Sequence, residues 1–234
     1  MEGVNDTKTA LVTGANKGIG FAIAAGLGAL GFRVAVGARD DVRLAEAVTR
    51  LQAKGIDAFG VALDVTSDDS VATAAASLSR LDVLVNNAGI GGPMPQDPTT
   101  LDLDAVRTVL DTNVFGVVRV TNAALPLLRK AERPRIVNVS SNMGSLALRT
   151  GPIMAAYAPS KSMLNSLTVQ YARAFEGTNV VVNACCPGYV ATDFTGHASQ
   201  RSPEEGAAIA LRLATLPDDG PRGGFFDDEG VVAW

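Results

Sequence analysis

Short, nearly unbroken apolar runs alternate with longer amphipathic stretches along almost the whole chain. Residues 9–12, 33–36, 58–63, 82–85, 135–139 and 179–184 are of strand length. They lack the strict in–out alternation of a sheet with one wet face, so they read as strands buried on both sides. Between them the apolar positions recur at helical spacing. Residues 19–30 form an Ala-rich helix stopped by Gly31, and residues 42–54 form a second closed by Gly55. A third helix covers residues 70–78. After a Gly/Pro-rich loop at 89–98, a long helix spans residues 104–130, with Pro126 kinking its last turns or opening a separate piece. Another helix runs from about Ala156 to Gly177. Residues 203–214 form a helix with Ser202 as N-cap, and residues 224–226 start a last short strand.

Buried strands alternating with helices imply a parallel sheet covered on both faces. The expected fold is a single doubly wound α/β domain of Rossmann type over residues 1–234, since no linker, composition break or repeat divides the chain. At 47% hydrophobic residues it can fill a sizeable core. Twenty basic against 24 acidic residues, net −4 and without a basic run, argue against nucleic-acid or membrane-surface binding. The first ten residues lack the basic-then-apolar order of a signal peptide, and no apolar run is long enough to cross a bilayer. The two cysteines, Cys185 and Cys186, point to opposite faces of a strand and read as buried, unpaired thiols. A cytoplasmic protein is expected.

Chemistry enters where the first strand ends. Gly14, Gly18 and Gly20 lie between strand and helix in a G-x-x-x-G-x-G turn. Backbone N–H groups and the positive end of a helix can hold a dinucleotide pyrophosphate there, and a Cβ would block the approach. Tyr157 and Lys161 are four apart near a helix start and share one face. A nearby ammonium favours phenolate, so the spacing predicts a tyrosine pKa lowered toward the working range, suited to moving a proton. Ser141, with Ser140 as its rival, closes the fifth strand and can fix a reacting carbonyl oxygen. Asn113 is a polar residue in an apolar helix and needs partners. His197, the only histidine, sits in a polar loop and reads as a surface residue. No cluster has metal-ligand spacing.

The wide glycine turn, Asn86 to Gly89 after strand four, Asn113, Ser141, the Tyr157/Lys161 pair and Pro187–Gly188 follow one another in the order seen in short-chain dehydrogenases/reductases. The chain resembles that family along nearly its whole length. Asn16 to Gly20, residues 138–141 and the C-terminal end look most like NADPH-dependent carbonyl reductases. The resemblance implies a catalytic set of Asn113, Ser141, Tyr157 and Lys161. Lys161 would also contact the nicotinamide ribose, and Asn113 would hold a water that relays protons. It implies a cofactor set of Gly14, Asn16, Lys17, Gly18, Ile19, Gly20, Arg39, Asp64, Val65, Asn87, Ala88, Gly89, Pro187, Gly188, Val190 and Thr192, together with Tyr157 and Lys161. Asp64 would face the adenine, and Ser141 is favoured because the family's serine is the second of such a pair. Ser141 lies sixteen residues before Tyr157, a few more than is usual, and the extra residues, within 142–156, are expected to change the shape of the substrate pocket more than the chemistry.

Cofactor choice follows from the end of strand two. Ala38 stands where NAD enzymes of the family carry an acid, and Arg39 and Lys17 can meet a 2′-phosphate. Asp40 and Asp41 oppose this, but are expected to start the next helix and point away. NADP(H) is the expected cofactor. The expected reaction is reduction of a ketone or aldehyde with a proton from Tyr157. Alternatives are an NAD-dependent alcohol dehydrogenase running oxidatively and a non-catalytic dinucleotide sensor. Residues 90–94, 143–155 and 189–196 are expected to line an apolar pocket through Met143, Ile153, Met154, Tyr189 and Phe194. The short 190–202 stretch suggests an accessible site and broad tolerance. Family members often pair through the long helix and the Tyr/Lys helix. Val106, Val109, Leu110, Val114, Phe115, Val117 and Val118 cover several faces of that long helix, so a homodimer or homotetramer is expected.

Overall fold

A computed structural model describes residues 7–148 and 150–234. The start of the N-terminal stretch read for a leader (1–6) and Arg149, within the 143–155 pocket segment, lie outside them. Seven strands form one parallel sheet in the order β3-β2-β1-β4-β5-β6-β7. They are β1 (Thr9–Thr13), β2 (Arg33–Ala38), β3 (Ala58–Ala62), β4 (Val83–Asn86), β5 (Arg135–Val139), β6 (Val181–Cys185) and β7 (Phe225–Phe226). Chain order reverses between β1 and β4, which are in register from Ala10↔Val83 to Val12↔Val85. A crevice at the carboxyl ends of strands flanking such a switch point is where ligands bind in open α/β sheets.

Helices cover both faces. On one side α1 (Gly18–Ala29), α2 (Asp41–Gln52) and α7 (Pro203–Ala214) bury Ile23, Leu27, Leu51 and Ile209 against Val12, Val36 and Val85. α1 and α7 come so close that a Cβ on Gly26 would lie 2.4 Å from a Leu211 methyl. On the other side α3 (Asp68–Ala76), α5 (Gly116–Leu128) and α6 (Tyr157–Ala174) pack over Leu11, Leu84, Ile136 and Val182.

Helix starts follow local capping. Ser202 and Glu205 form a reciprocal capping box with Pro203 in the first turn, as the sequence suggested. α3 begins two residues before the expected Ser70, because Ser67 accepts the Ser70 N–H and caps the helix there. The long helix differs most. It is split into α4 (Leu103–Leu110), a π turn (Asp111–Phe115) and α5, so the interruption falls at Asp111–Phe115 and the helix runs on past Pro126. Of the apolar residues on its several faces, Val109, Val114 and Val117 are buried within the chain itself, whereas Phe115 stays 45% exposed. Among the described residues no helix is long and apolar enough to cross a membrane.

Candidate active site

The glycine turn leaves β1 through Gly14 and enters α1 at Gly18, with φ of 63° and 54°. Both lie in the left-handed region that favours glycine. The turn is fastened to the loop after β4. Thr13 Oγ1 accepts the N–H groups of Asn87 and Ala88, each at 2.9 Å. Asn87 Nδ2 donates to the carbonyls of Thr13 (2.8 Å) and Gly14 (3.2 Å). Asn87 thus braces the cradle with its side chain. A Cβ on Gly20 would sit 2.4 Å from both Asn87 Nδ2 and the Gly14 oxygen. No side chain caps the start of α1. Its first-turn N–H groups and helix dipole are therefore left for an anion, and this cradle fits a dinucleotide pyrophosphate.

Arg39 is exposed at the end of β2 and makes no hydrogen bond or ion pair among the described residues. Asp40 caps α2 by accepting the Arg43 N–H at 3.0 Å, and Asp41 is the first residue of that helix, so both acids are where helix entry puts them. Asp64 follows β3. The Thr66 N–H and hydroxyl both donate to its Oδ1 (2.9 and 2.7 Å) and hold the carboxyl below the usual range; the charges of Arg39 and Arg119 add to this. Lys17 has another partner than the one expected: its Nζ lies 2.7 Å from Asp193 Oδ2. Asp193 also meets His197 Nε2 at 3.0 Å, and His197 is an exposed loop residue.

The side chains expected to carry the chemistry converge where β5 and α6 meet. Ser140 is buried and its hydroxyl donates to Asn165 Oδ1 at 2.5 Å, which turns it away from the crevice. Ser141 caps a short 3-10 turn (Asn142–Gly144), accepting the Met143 N–H at 3.2 Å, and its side chain lies close enough to the Tyr157 phenol to influence it. This geometry separates the two serines that the sequence leaves side by side. Tyr157 is only 8% exposed. Burial pushes its phenol up to about 12, against the opposing pull of the nearby Ser141 hydroxyl. Lys161 does not bring it down as the four-residue spacing suggested. Its Nζ donates to the Val139 carbonyl at 2.8 Å, 5.7 Å from the centre of the Tyr157 ring. Burial in turn pushes the ammonium down to about 8. In this apolar setting desolvation outweighs the charge of the neighbour.

Asn113 sits in the π turn, fully buried. The Ile90 N–H donates to its Oδ1 (2.8 Å), and its Nδ2 donates to the Ile90 carbonyl (2.9 Å) and to Ser160 Oγ (3.0 Å). A Cβ on Gly89 would lie 3.3 Å from Asn113 Oδ1 and 3.6 Å from Lys161 Nζ, so these groups crowd one point of the loop. Val65, Val190 and Thr192 are buried, and Gly188 adopts φ 78° in the loop after β6. The Phe194 ring packs on Tyr157 with centroids 5.4 Å apart, and Gly91 is close to both Phe194 and Met154. Met94, Ile153, Tyr189 and Phe194 are exposed large apolar residues in the segments expected to line the pocket.

Three features escaped the sequence reading. Gln96 is buried at the start of α6 and bonded to it. A polar glutamine in a Gly/Pro-rich loop carries no signal of this. The Cys186 thiol, unpaired and raised by burial, accepts the Asn142 N–H at 3.2 Å and so steadies the residue after Ser141. The C-terminal end holds the same segment: Ser145 Oγ donates to the Ala233 carbonyl (2.6 Å) and the Ala147 N–H to the Trp234 carbonyl (3.1 Å). Among the described residues no His, Cys, Asp and Glu side chains gather as a metal site.

A doubly wound parallel sheet with a glycine-turned helix start at its switch point defines a dinucleotide-binding type of α/β protein. Comparison with known proteins narrows this. Residues 8–203 match the short chain dehydrogenase family, and the chain belongs to that family. It is 35% identical to carbonyl reductase [NADPH] 1 of Homo sapiens over 96% of this chain and 98% of the relative. It is 33% identical to short-chain dehydrogenase/reductase 1 of Saponaria officinalis over 93% of each. A crystal structure of NADPH-bound carbonyl reductase from chicken fatty liver superposes with a TM-score of 0.87 at 31% identity, covering 97% of this chain and 99% of that one.

Proposed function

We propose that this protein is an NADP-dependent oxidoreductase that reduces a ketone or aldehyde to an alcohol. The observation that carries the reading is the buried Tyr157, with Lys161 Nζ 5.7 Å from its ring and the half-buried Ser141 beside it, at the mouth of a switch-point crevice with an uncapped helix start. The cofactor, when bound, supplies a hydride. The relatives named for NADPH, the exposed Arg39 and the absence of an acid at position 38 support NADP(H) over NAD.

The protein's own part is proton delivery and orientation. A phenol pushed up to about 12 keeps its proton at neutral pH, so Tyr157 enters the reaction as a neutral acid. Ser141, beside it, holds the carbonyl oxygen at the same point. Lys161 stays mostly charged at pH 7 and is assigned, as in the family, to the nicotinamide ribose. Asn113 fixes Ile90, the residue after the Gly89 that approaches Lys161, and its π turn is the kind of break found at functional sites. It is assigned to the relay that returns the proton. The exposed apolar residues Met94, Ile153, Tyr189 and Phe194 around the mouth favour an apolar carbonyl compound.

Tyr157→Phe tests the reading. It removes the proton donor and keeps the ring, so kcat with NADPH and the best substrate of a carbonyl panel should fall about 10²–10⁴-fold. NADPH affinity should hold. Wild-type turnover in that variant would sink the assignment.

A further inference from the structure

α6 carries Tyr157 in its first turn, yet its N-cap position is Ala156, which has no side chain to cap it. The missing partner comes from 60 residues away in sequence. Gln96 Oε1 accepts the N–H groups of Ala156 (2.9 Å) and of Tyr157 itself (3.1 Å). The Gln96 backbone carbonyl accepts the preceding N–H, that of Ala155, at 3.1 Å. At its other end Gln96 Nε2 donates to the carbonyls of Gly91 (2.6 Å) and Pro93 (3.1 Å). Two N–H donors face one end of the amide and two carbonyls the other, so the partners themselves dictate which atom is oxygen and which nitrogen. All four of its hydrogen-bonding positions are filled, and the side chain is 1% exposed.

We propose that Gln96 is a positioning residue for the reaction: it sets where the Tyr157 hydroxyl lies and couples that position to the rim of the substrate pocket. The inference rests on the reading of Tyr157 as proton donor. One rigid amide joins the 91–93 rim to the backbone of Tyr157. A Cβ on Gly91 would meet the Phe194 ring at 3.3 Å, and Phe194 packs on the Tyr157 ring, so rim, ring and helix start lie against one another. A ligand pressing on the rim is therefore felt at the Tyr157 backbone as well as at its ring. Nothing else among the described side chains caps this helix, so without Gln96 its first turn loses both its partner and its tie to the pocket. A displacement of the acid by about 1 Å is enough to cost on the order of 10²-fold in rate.

The test is a kinetic double-mutant cycle between Gln96 and Tyr157. Gln96→Met keeps the length and apolar volume and removes every polar contact. It should lower kcat by about 10- to 100-fold. NADPH Kd should stay within about threefold, since the cofactor cradle lies on the other side of the crevice. Gln96→Glu keeps an acceptor toward Ala156 and Tyr157 and should bring kcat back to within about tenfold of wild type. In the Tyr157→Phe background, Gln96→Met should cause little further loss, because the group it positions is already gone. A loss that multiplies in full on top of a crippled Tyr157→Phe enzyme would overturn the proposal alone. Wild-type turnover of Tyr157→Phe would overturn the proton-donor reading and this proposal with it. If Gln96→Met fails to bind NADPH, the same cycle run with Gln96→Glu reads the same coupling, and additivity there overturns the proposal too.

Discussion

Arg39 is the residue on which the cofactor assignment can be decided. It stands exposed at the end of β2, and the two acids that follow it are accounted for, while Asp64 feels its charge. Asp40 is spent on the Arg43 N–H, and Asp41 opens α2. A guanidinium hydrogen bond to a charged group contributes about 1.5–3 kcal/mol. At about 1.4 kcal/mol per decade, Arg39→Ala should weaken NADPH binding by roughly 10- to 150-fold. NADH lacks the 2′-phosphate, so its binding should change by no more than about twofold. Lys17 is expected to matter less. It sits 2.7 Å from Asp193 and would have to exchange that partner for the phosphate, so its net gain is the difference of two ion-pair energies. Asp193→Asn frees Lys17 and should tighten NADPH by about two- to fivefold, an effect that fades with added salt because the pair is exposed. The assay is kcat/KM for both cofactors in wild type, Arg39→Ala, Lys17→Ala and Asp193→Asn, at low and high salt. A wild type that prefers NADH, or an Arg39→Ala variant weakened equally toward both, would refute the argument.

Three more outcomes are expected. With Lys161 pushed down to about 8, its charge is lost as pH rises through that value, so reductive kcat should be level below pH 8 and fall above it; a rate that stays level to pH 10 contradicts the role of the ammonium. Ser141→Ala should lower kcat by about 10²-fold or more with little change in Tm, whereas Ser140→Ala should leave kcat within about threefold and cost about 1–3 kcal/mol of stability by orphaning Asn165 Oδ1; the reverse pattern would exchange the two serines. Phe115 (45% exposed) and Met163 (41%) leave apolar surface on the π turn and on α6 that a second copy would cover, so light scattering at micromolar concentration should give a multiple of the 24.1 kDa chain mass, and a monomer mass would rule the homo-oligomer out.

What the sequence determined by itself is what neighbours within a few residues decide. β5 begins and ends where its apolar run does, and α7 starts at the Ser202 cap and stops at Ala214. The glycine turn was legible because positive φ at Gly14 and Gly18 is a local demand that only one residue type meets cheaply. Tyr157 and Lys161 were legible as a pair because the helical repeat alone puts them on one face. Their titration was not. Spacing shows that an ammonium is near a phenol, but it carries no measure of how little water reaches either, and burial is a property of the whole packed chain. What sets Ser140 apart from Ser141 is its bond to Asn165, on α6, far along the chain from the strand end that carries the serines. Lys17 found Asp193 at a separation of 176 residues, and the cap of the Tyr157 helix came from Gln96, 60 residues upstream. Such partners leave no trace in periodicity or local propensity. They are chosen by which loops the parallel sheet gathers at the carboxyl ends of its strands, and only the tertiary structure decides that.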